Sequence, residues 1–264
     1  MGIILSALVP HSPLLLPTIH ESKKKALTEL SSAFKNLAEI LHSQKVDIII
    51  CFNPHATSVG NVYTFNLAKV YKANFAEFGD LTTSTQAFGS PIFTYHLKEL
   101  MESTWPVSTI IKEEINYGAG IPILHLNNLL NEVKWSLIST RKASLREHFD
   151  FGIKLQKELI NSNFRIAVIA SGDVVTGITE ASPEGVLPDA QIFYNNWNNA
   201  FNNNSLKEFL FSLDQKTIAK VMSCGAYSLA QMLGTINSLN TKVETLYNKA
   251  PFGIGYQLSI WQPQ

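Results

Sequence analysis

Near its start the chain reads Ile3-Ile4-Leu5-Ser6-Ala7-Leu8-Val9-Pro10-His11-Ser12-Pro13-Leu14-Leu15-Leu16-Pro17. Gly2 to Val9 is uncharged and almost wholly apolar, the pattern of a buried strand. His11 follows at once, between two prolines. Each proline fixes its own φ and biases the residue before it away from helix, so this backbone is extended and stiff. An imidazole on a stiff loop just past a buried strand's carboxyl end stands where open α/β sheets place ligands. For His11 alone, a histidine that merely satisfies its own loop is the better account. A functional reading needs a second and third group from elsewhere in the chain.

The second group comes from the next unit. Residues 21–43 carry Ala26, Leu27, Leu30, Phe34, Leu37, Ile40 and Leu41 at helical spacing. The run Lys23-Lys24-Lys25 reads as a solvated face of that helix. Residues 46–52 (Val-Asp-Ile-Ile-Ile-Cys-Phe) form a short β-branched strand and end in Asn53-Pro54-His55-Ala56. Strand, helix, strand predicts a βαβ unit with parallel strands. Parallel strands bring the His11 and His55 loops to one sheet edge.

Residues 164–170 make a third strand of the same type and end in Ser171-Gly172-Asp173. Between these units the chain predicts short antiparallel strands or a long excursion over 57–92. A helix over 91–101 and a strand over 107–111 follow. Next come a Gly-rich turn from Ile115 through Tyr117 to Gly120, leading into an apolar helix, a strand over 135–138 and a helix over 146–161. Beyond Asp173 lie an Asn-rich helix–loop connection, a short helix over 206–213 and one helix over 214–233 carrying Cys224. Strands over 242–248 and 257–261 close the chain. No linker or repeat interrupts it. The expectation is one α/β domain over 1–264, with a central, largely parallel to mixed sheet flanked by helices.

Composition excludes several function classes. Of 264 residues, 45% are hydrophobic and 16% charged, enough for one substantial core. Lys plus Arg equal Asp plus Glu at 21 each, so there is no basic footprint for nucleic acid. No apolar run has the length of a membrane span. Residues 1–6 formally match a myristoylation pattern but read more simply as the first strand. Two cysteines, Cys51 and Cys224, make no disulfide framework, which fits a reducing cytoplasm. Cys51 lies inside a strand and reads as core. His20, His42, His96, His125 and His148 fall on polar or helical stretches and read as surface or packing residues. Glu184 reads as a solvated loop acid, and Asp173 as a helix cap or loop anchor rather than a chemical group.

Taken in order, "PHSPLLLP", strand-"NPHA", "NYGAGIPI", strand-"ASGD", "SCGAYSL" and terminal "PFGIGY" resemble the class III extradiol ring-cleavage dioxygenase (LigB-like) superfamily, nearest its Memo-like and LigB-like bacterial members. The resemblance runs from Ile3 to about Ile260. It implies a metal held by His11, His55 and Cys224, with iron(II) the expected ion and copper or zinc as alternatives. Ring-cleaving members have a glutamate where this chain has Cys224, and Memo-like members have cysteine. A set of two histidines and a cysteine is softer than two histidines and a carboxylate. The resemblance also places Asp173, Tyr117 and Thr176 in the catalytic pocket. Thr176 and Tyr117 stand where relatives carry histidine. Threonine is no general base near neutral pH, and a phenol titrates far above it.

Three readings follow. One is a mononuclear metal oxidoreductase acting on a small catechol-like aromatic, or a Memo-like redox protein. The second is a catalytically degenerate member whose cleft binds a peptide or small ligand. The third is a zinc hydrolase using Asp173 or Glu184 as base. The resemblance further implies a homodimer or a second subunit.

Overall fold

The apolar opening folds as β1 (Gly2–Val9), and the chain continues through α1 (Glu21–Ser43), β2 (Ile48–Asn53), β3 (Tyr63–Asn66), β4 (Val70–Phe75) and β5 (Asp80–Gly89). Then come α2 (Pro91–Glu102), β6 (Val107–Ile110), α3 (Tyr117–Leu126), β7 (Lys134–Ser139), α4 (Leu145–Leu159) and β8 (Arg165–Ser171). The last third holds α5 (Ala190–Asn202), α6 (Leu206–Ser212), α7 (Gln215–Lys220), α8 (Gly225–Thr235), β9 (Thr241–Lys249) and β10 (Tyr256–Pro263). The structure is a computed structural model that describes residues 2–18, 21–56, 60–130 and 132–264, the side chains of 21–24 excepted. His20, Lys23 and Lys24, read above as surface groups, lie outside that description.

The strands form one mixed sheet in the order β4-β5-β7-β2-β8-β1-β10-β9, with β3 also paired to β7 and β6 paired to β3. Its centre is parallel: β7, β2, β8 and β1 all run the same way. Antiparallel pairs flank it, β4 with β5 on one side and β1 with β10 and β9 on the other. β8 lies between β1 and β2, so the first βαβ unit skips one strand. Register keeps the carboxyl ends level, with Val9 opposite Ser171 and Phe52 opposite Ala170. The loops bearing His11, His55 and Asp173 therefore leave one edge together.

Alternation along the central strands supplies two cores. Leu5, Ala7, Val9, Ile49, Cys51, Ala167 and Ile169 face α1 and α3. Leu8, Ile50, Phe52, Ile166, Val168 and Ala170 face α4 and α8. Leu30, Phe34, Leu37 and Leu41 of α1 are buried against the first face. Each contributes about 2 kcal/mol of transfer free energy, so packing rather than propensity holds α1 in place. Cys51 is fully buried, as its place in a strand predicts.

The helix expected over 214–233 is two helices. Asp214 caps α7 by accepting from Thr217 N–H at 2.7 Å. Met222 then takes a left-handed φ of 50°, and the chain restarts at α8. The break puts Cys224 at the head of α8 instead of mid-helix. The Gly-rich turn expected before α3 is also different, because Gly118 and Gly120 lie inside the helix that Asn116 caps. Gly118 is there for a close approach: a Cβ would stand 2.3 Å from Asn53 Oδ1.

α8 is set by its packing on α4. A Cβ on Gly152 would stand 2.1 Å from Gln231 O, and one on Gly234 would stand 2.0 Å from Phe149 O. Only glycine at both positions lets the two backbones come this close.

Candidate metal centre

Three elements deliver three donor atoms. His11 leaves β1 on the proline-stiffened loop, His55 follows β2, and Cys224 heads α8. One ligand atom from each lies within 4.8 Å of the others, and among the described residues this is the group with metal-ligand chemistry. Cys224 Sγ is 3.2 Å from His11 Nε2. The two imidazole centroids are 4.9 Å apart.

The tautomer of His11 follows from its neighbours. Ser171 Oγ donates its only hydrogen to the Gly118 carbonyl. It can then only accept from His11 Nδ1, which lies 2.9 Å away. The ring proton therefore sits on Nδ1 and leaves the Nε2 lone pair facing Cys224. Burial above all, and then the nearby His55, push the His11 pKa well below its ordinary value, against a raising pull from the Gly118 carbonyl. Desolvation likewise lowers His55. Both rings are neutral near pH 7, the form that ligates metal. Burial first, and the Asp173 charge second, raise the Cys224 thiol to about 12. Without an ion it keeps its proton, which points at the His11 lone pair. Cys224 would hold a metal ion as the thiolate, giving up that proton.

An asparagine pair holds the His55 loop. His55 N–H donates to Asn53 Oδ1 at 3.0 Å, and Asn53 Nδ2 donates to Asn116 Oδ1 at 2.9 Å. Asn116 Nδ2 donates in turn to the His55 carbonyl. The His11 loop is anchored by Asp173, whose Oδ1 accepts from His11 N–H at 3.2 Å. Asp173 is thus a loop anchor and not a helix cap. Burial raises its carboxyl to about 7.

All six residues singled out in the sequence, His11, His55, Cys224, Asp173, Tyr117 and Thr176, line one cavity of about 680 Å³. Tyr117 is tilted against His55, at 4.9 Å and 30°, and edge-on to His11 at 5.5 Å. Phe78 packs edge-on against Tyr117 at 5.2 Å. Burial pushes the Tyr117 phenol above its ordinary range, so it can donate but not take up a proton. The Thr176 hydroxyl contacts Met222 Sδ at 3.8 Å. Glu184, read from sequence as a solvated loop acid, is exposed and also borders the cavity.

Ser171, Asn53 and Asn116 are the functional residues that sequence reading missed. Ser171 and Asn53 carry a signal, since each is the last residue of a parallel strand that leads into the site. Asn116 carries only the signature of a helix cap.

The chain matches the family model described as the catalytic LigB subunit of aromatic ring-opening dioxygenase over residues 5–259. It is similar to Protein CA_C1420 of Clostridium acetobutylicum, 25% identical over 259 residues, which cover 94% of this chain and 55% of that one. The chain thus spans about half the length of that relative. The crystal structure of the uncharacterized protein JW3007 from Escherichia coli K12 shares the fold, with a TM-score of 0.63 at 16% identity, over 98% of this chain and 99% of that one. No helix among the described residues is long and apolar enough to cross a membrane.

Proposed function

Because this chain belongs to the family of catalytic LigB subunits of aromatic ring-opening dioxygenases, we propose that it is a mononuclear metal oxidoreductase in which His11, His55 and Cys224 hold the ion. The adjoining cavity takes a small aromatic substrate. The observation that carries this reading is the convergence of the three donor atoms within 4.8 Å on the wall of one cavity. The donors fit a metal: two neutral imidazoles and a thiol aimed at a ring lone pair. Imidazole and thiolate suit iron, copper and zinc. We assign iron(II), the ion that the resemblance to ring-cleaving proteins implies, with copper or zinc as alternatives that the same donors accept.

When bound, the ion supplies Lewis acidity toward a substrate oxygen and, for iron or copper, redox capacity. The chain's own residues do the rest. Ser171 keeps His11 in its ligating tautomer, and the Asn53–Asn116 pair keeps His55 in place. Tyr117 offers a face for stacking and a phenolic donor. Asp173 holds the backbone of the His11 loop. Thr176 cannot act as a base near neutral pH, and Cys224 stands in place of a carboxylate. Both features favour a Memo-like redox role over ordinary catechol cleavage.

The same Thr176 and Tyr117 support a second reading, a degenerate member that binds a ligand in the cavity without turnover. One experiment separates the two. Metal content is measured by elemental mass spectrometry for wild type, His11→Ala, His55→Ala and Cys224→Ala. Oxygen uptake with catechol follows, after anaerobic iron(II) loading. Near-stoichiometric metal lost in all three variants supports the metal centre. Wild type that stays free of metal after loading sinks it. Metal without oxygen uptake excludes catechol cleavage and leaves the Memo-like redox role and the binding reading, which reduction and reoxidation of the bound metal, followed spectroscopically, then separate.

A further inference from the structure

The cavity is unequal in charge. Among the described residues lining it, the ionisable groups other than the metal donors and tyrosines are Asp173 and Glu184, with no lysine or arginine. The remaining wall is mostly apolar or aromatic, with Phe78, Tyr117 and Tyr227 supplying rings. An aromatic ligand bearing a carboxylate finds no counter-charge there. Its approach to Glu184 is repulsive, and desolvating it in such a wall is costly.

Glu184 is exposed at the cavity's border but held there by a hydrogen bond. Gly177 N–H donates to Ser182 Oγ at 3.1 Å, and that hydroxyl donates to Glu184 Oε2 at 2.8 Å. Ser182 is buried, so this relay fixes the carboxylate at the rim. Burial is the main cause that raises the pKa of Asp173, Tyr117 and Tyr256, and the Glu184 charge adds a smaller push in the same direction. Ser223 is 1% exposed and borders the same cavity with a hydroxyl that has no hydrogen-bond partner.

We infer that the cavity selects aromatic compounds carrying an ammonium group, with the Glu184 carboxylate as the counter-charge and the aromatic wall around the ring. The inference rests on the small-aromatic reading of this cavity and adds the charge class of its ligand. Rings in the wall favour a cation as well as an aromatic face. The acid and the wall therefore act in the same direction.

The test is calorimetric titration of zinc-loaded protein, a redox-inert form, with three probes: phenethylamine, phenylacetate and catechol. Wild type should bind phenethylamine roughly tenfold more tightly than phenylacetate, as expected for a partly exposed charge pair against a charge clash. Glu184→Gln should bring the two within about twofold, and Glu184→Lys should reverse the order. Glu184 lies on an exposed loop, and a thermal melt of each variant checks that it is folded. Equal or inverted affinities in wild type overturn the inference, as do a ratio unmoved by Glu184→Gln and failure of both charged probes to bind. Catechol reports separately on the metal-site reading. Loss of catechol binding with the amine preference intact counts against that reading and supports the charge selection. Catechol binding without the preference overturns the charge selection alone.

Discussion

Cys224 Sγ lies 3.2 Å from His11 Nε2 across 213 positions of sequence. Backbone contact produces this approach. Gly225 N–H donates to the Asp173 carbonyl at 3.0 Å. A Cβ on Gly172 would stand 2.2 Å from Gly225 Cα. The head of α8 is thereby pressed onto the loop after β8, and the thiol onto the ring.

Ser171→Ala removes the hydroxyl that holds the His11 proton on Nδ1. Zinc affinity, read by competition with a chelator, should fall about ten- to a hundredfold, the usual effect of losing a group that orients a ligand. The fold should lose only about 1 to 2 kcal/mol, the cost of a lost buried hydrogen bond. Unchanged metal affinity would show that the tautomer is set by something other than Ser171.

Asn116 has two separable duties. Its Oδ1 caps α3 by accepting from Gly118 N–H at 3.1 Å, and its Nδ2 holds the His55 carbonyl. Asn116→Asp keeps the cap acceptor and loses the donor, so metal affinity should drop. Asn116→Ala should also cost about 1 kcal/mol of stability through the lost cap. Equal stability loss in both variants would refute this division of roles.

Gly152→Ala and Gly234→Ala put a methyl group into the α4–α8 contact. Alanine is worth about 1 kcal/mol over glycine inside a helix, but here the clash is with backbone and cannot be relieved by a side-chain rotation. The net effect should be a loss of about 1 to 3 kcal/mol in urea unfolding, together with weaker metal binding as Cys224 shifts. A stabilised variant would be incompatible with the close approach.

His148 supplies a pH-dependent contribution. Burial lowers its pKa to about 4 from an ordinary 6.5, aided by the Arg141 charge and opposed by the Arg141 carbonyl. Its ring accepts from Tyr63 Oη at Nδ1 and donates from Nε2 to that carbonyl. The folded pKa is depressed, so the unfolded chain binds the extra proton first. The stabilisation is complete above pH 6.5 and is lost as pH falls toward 4, up to about 3 kcal/mol. Asp173, with its raised carboxyl, works the opposite way in the same window. The informative quantity is therefore the stability difference between wild type and His148→Asn at each pH. It should shrink on going from pH 7 to pH 4.5, and a constant difference would contradict the buried neutral ring.

The central parallel strands, α1 and the edge at which His11, His55 and Asp173 emerge are all legible in the amino-acid sequence. Unbroken apolar runs and a 3.6-residue period are local signals, and each run of β-branched residues fits only a strand buried on both faces. The family motifs added Cys224 and Tyr117 by their order along the chain. Tertiary structure alone decided the rest. The apolar spacing of residues 214–233 does not show that the helix breaks at Met222, because the break is compensated by the bonds of Gly225 N–H to the Asp173 carbonyl and of Thr176 N–H to the Val221 carbonyl, which exist only once the elements have packed. The duty of Ser171 depends on a carbonyl 53 positions away, and the inward reach of Glu184 depends on a buried serine held by Gly177. A side chain's direction at a sheet edge is set by the partners that satisfy its hydrogen bonds, and those partners come from other elements of the fold.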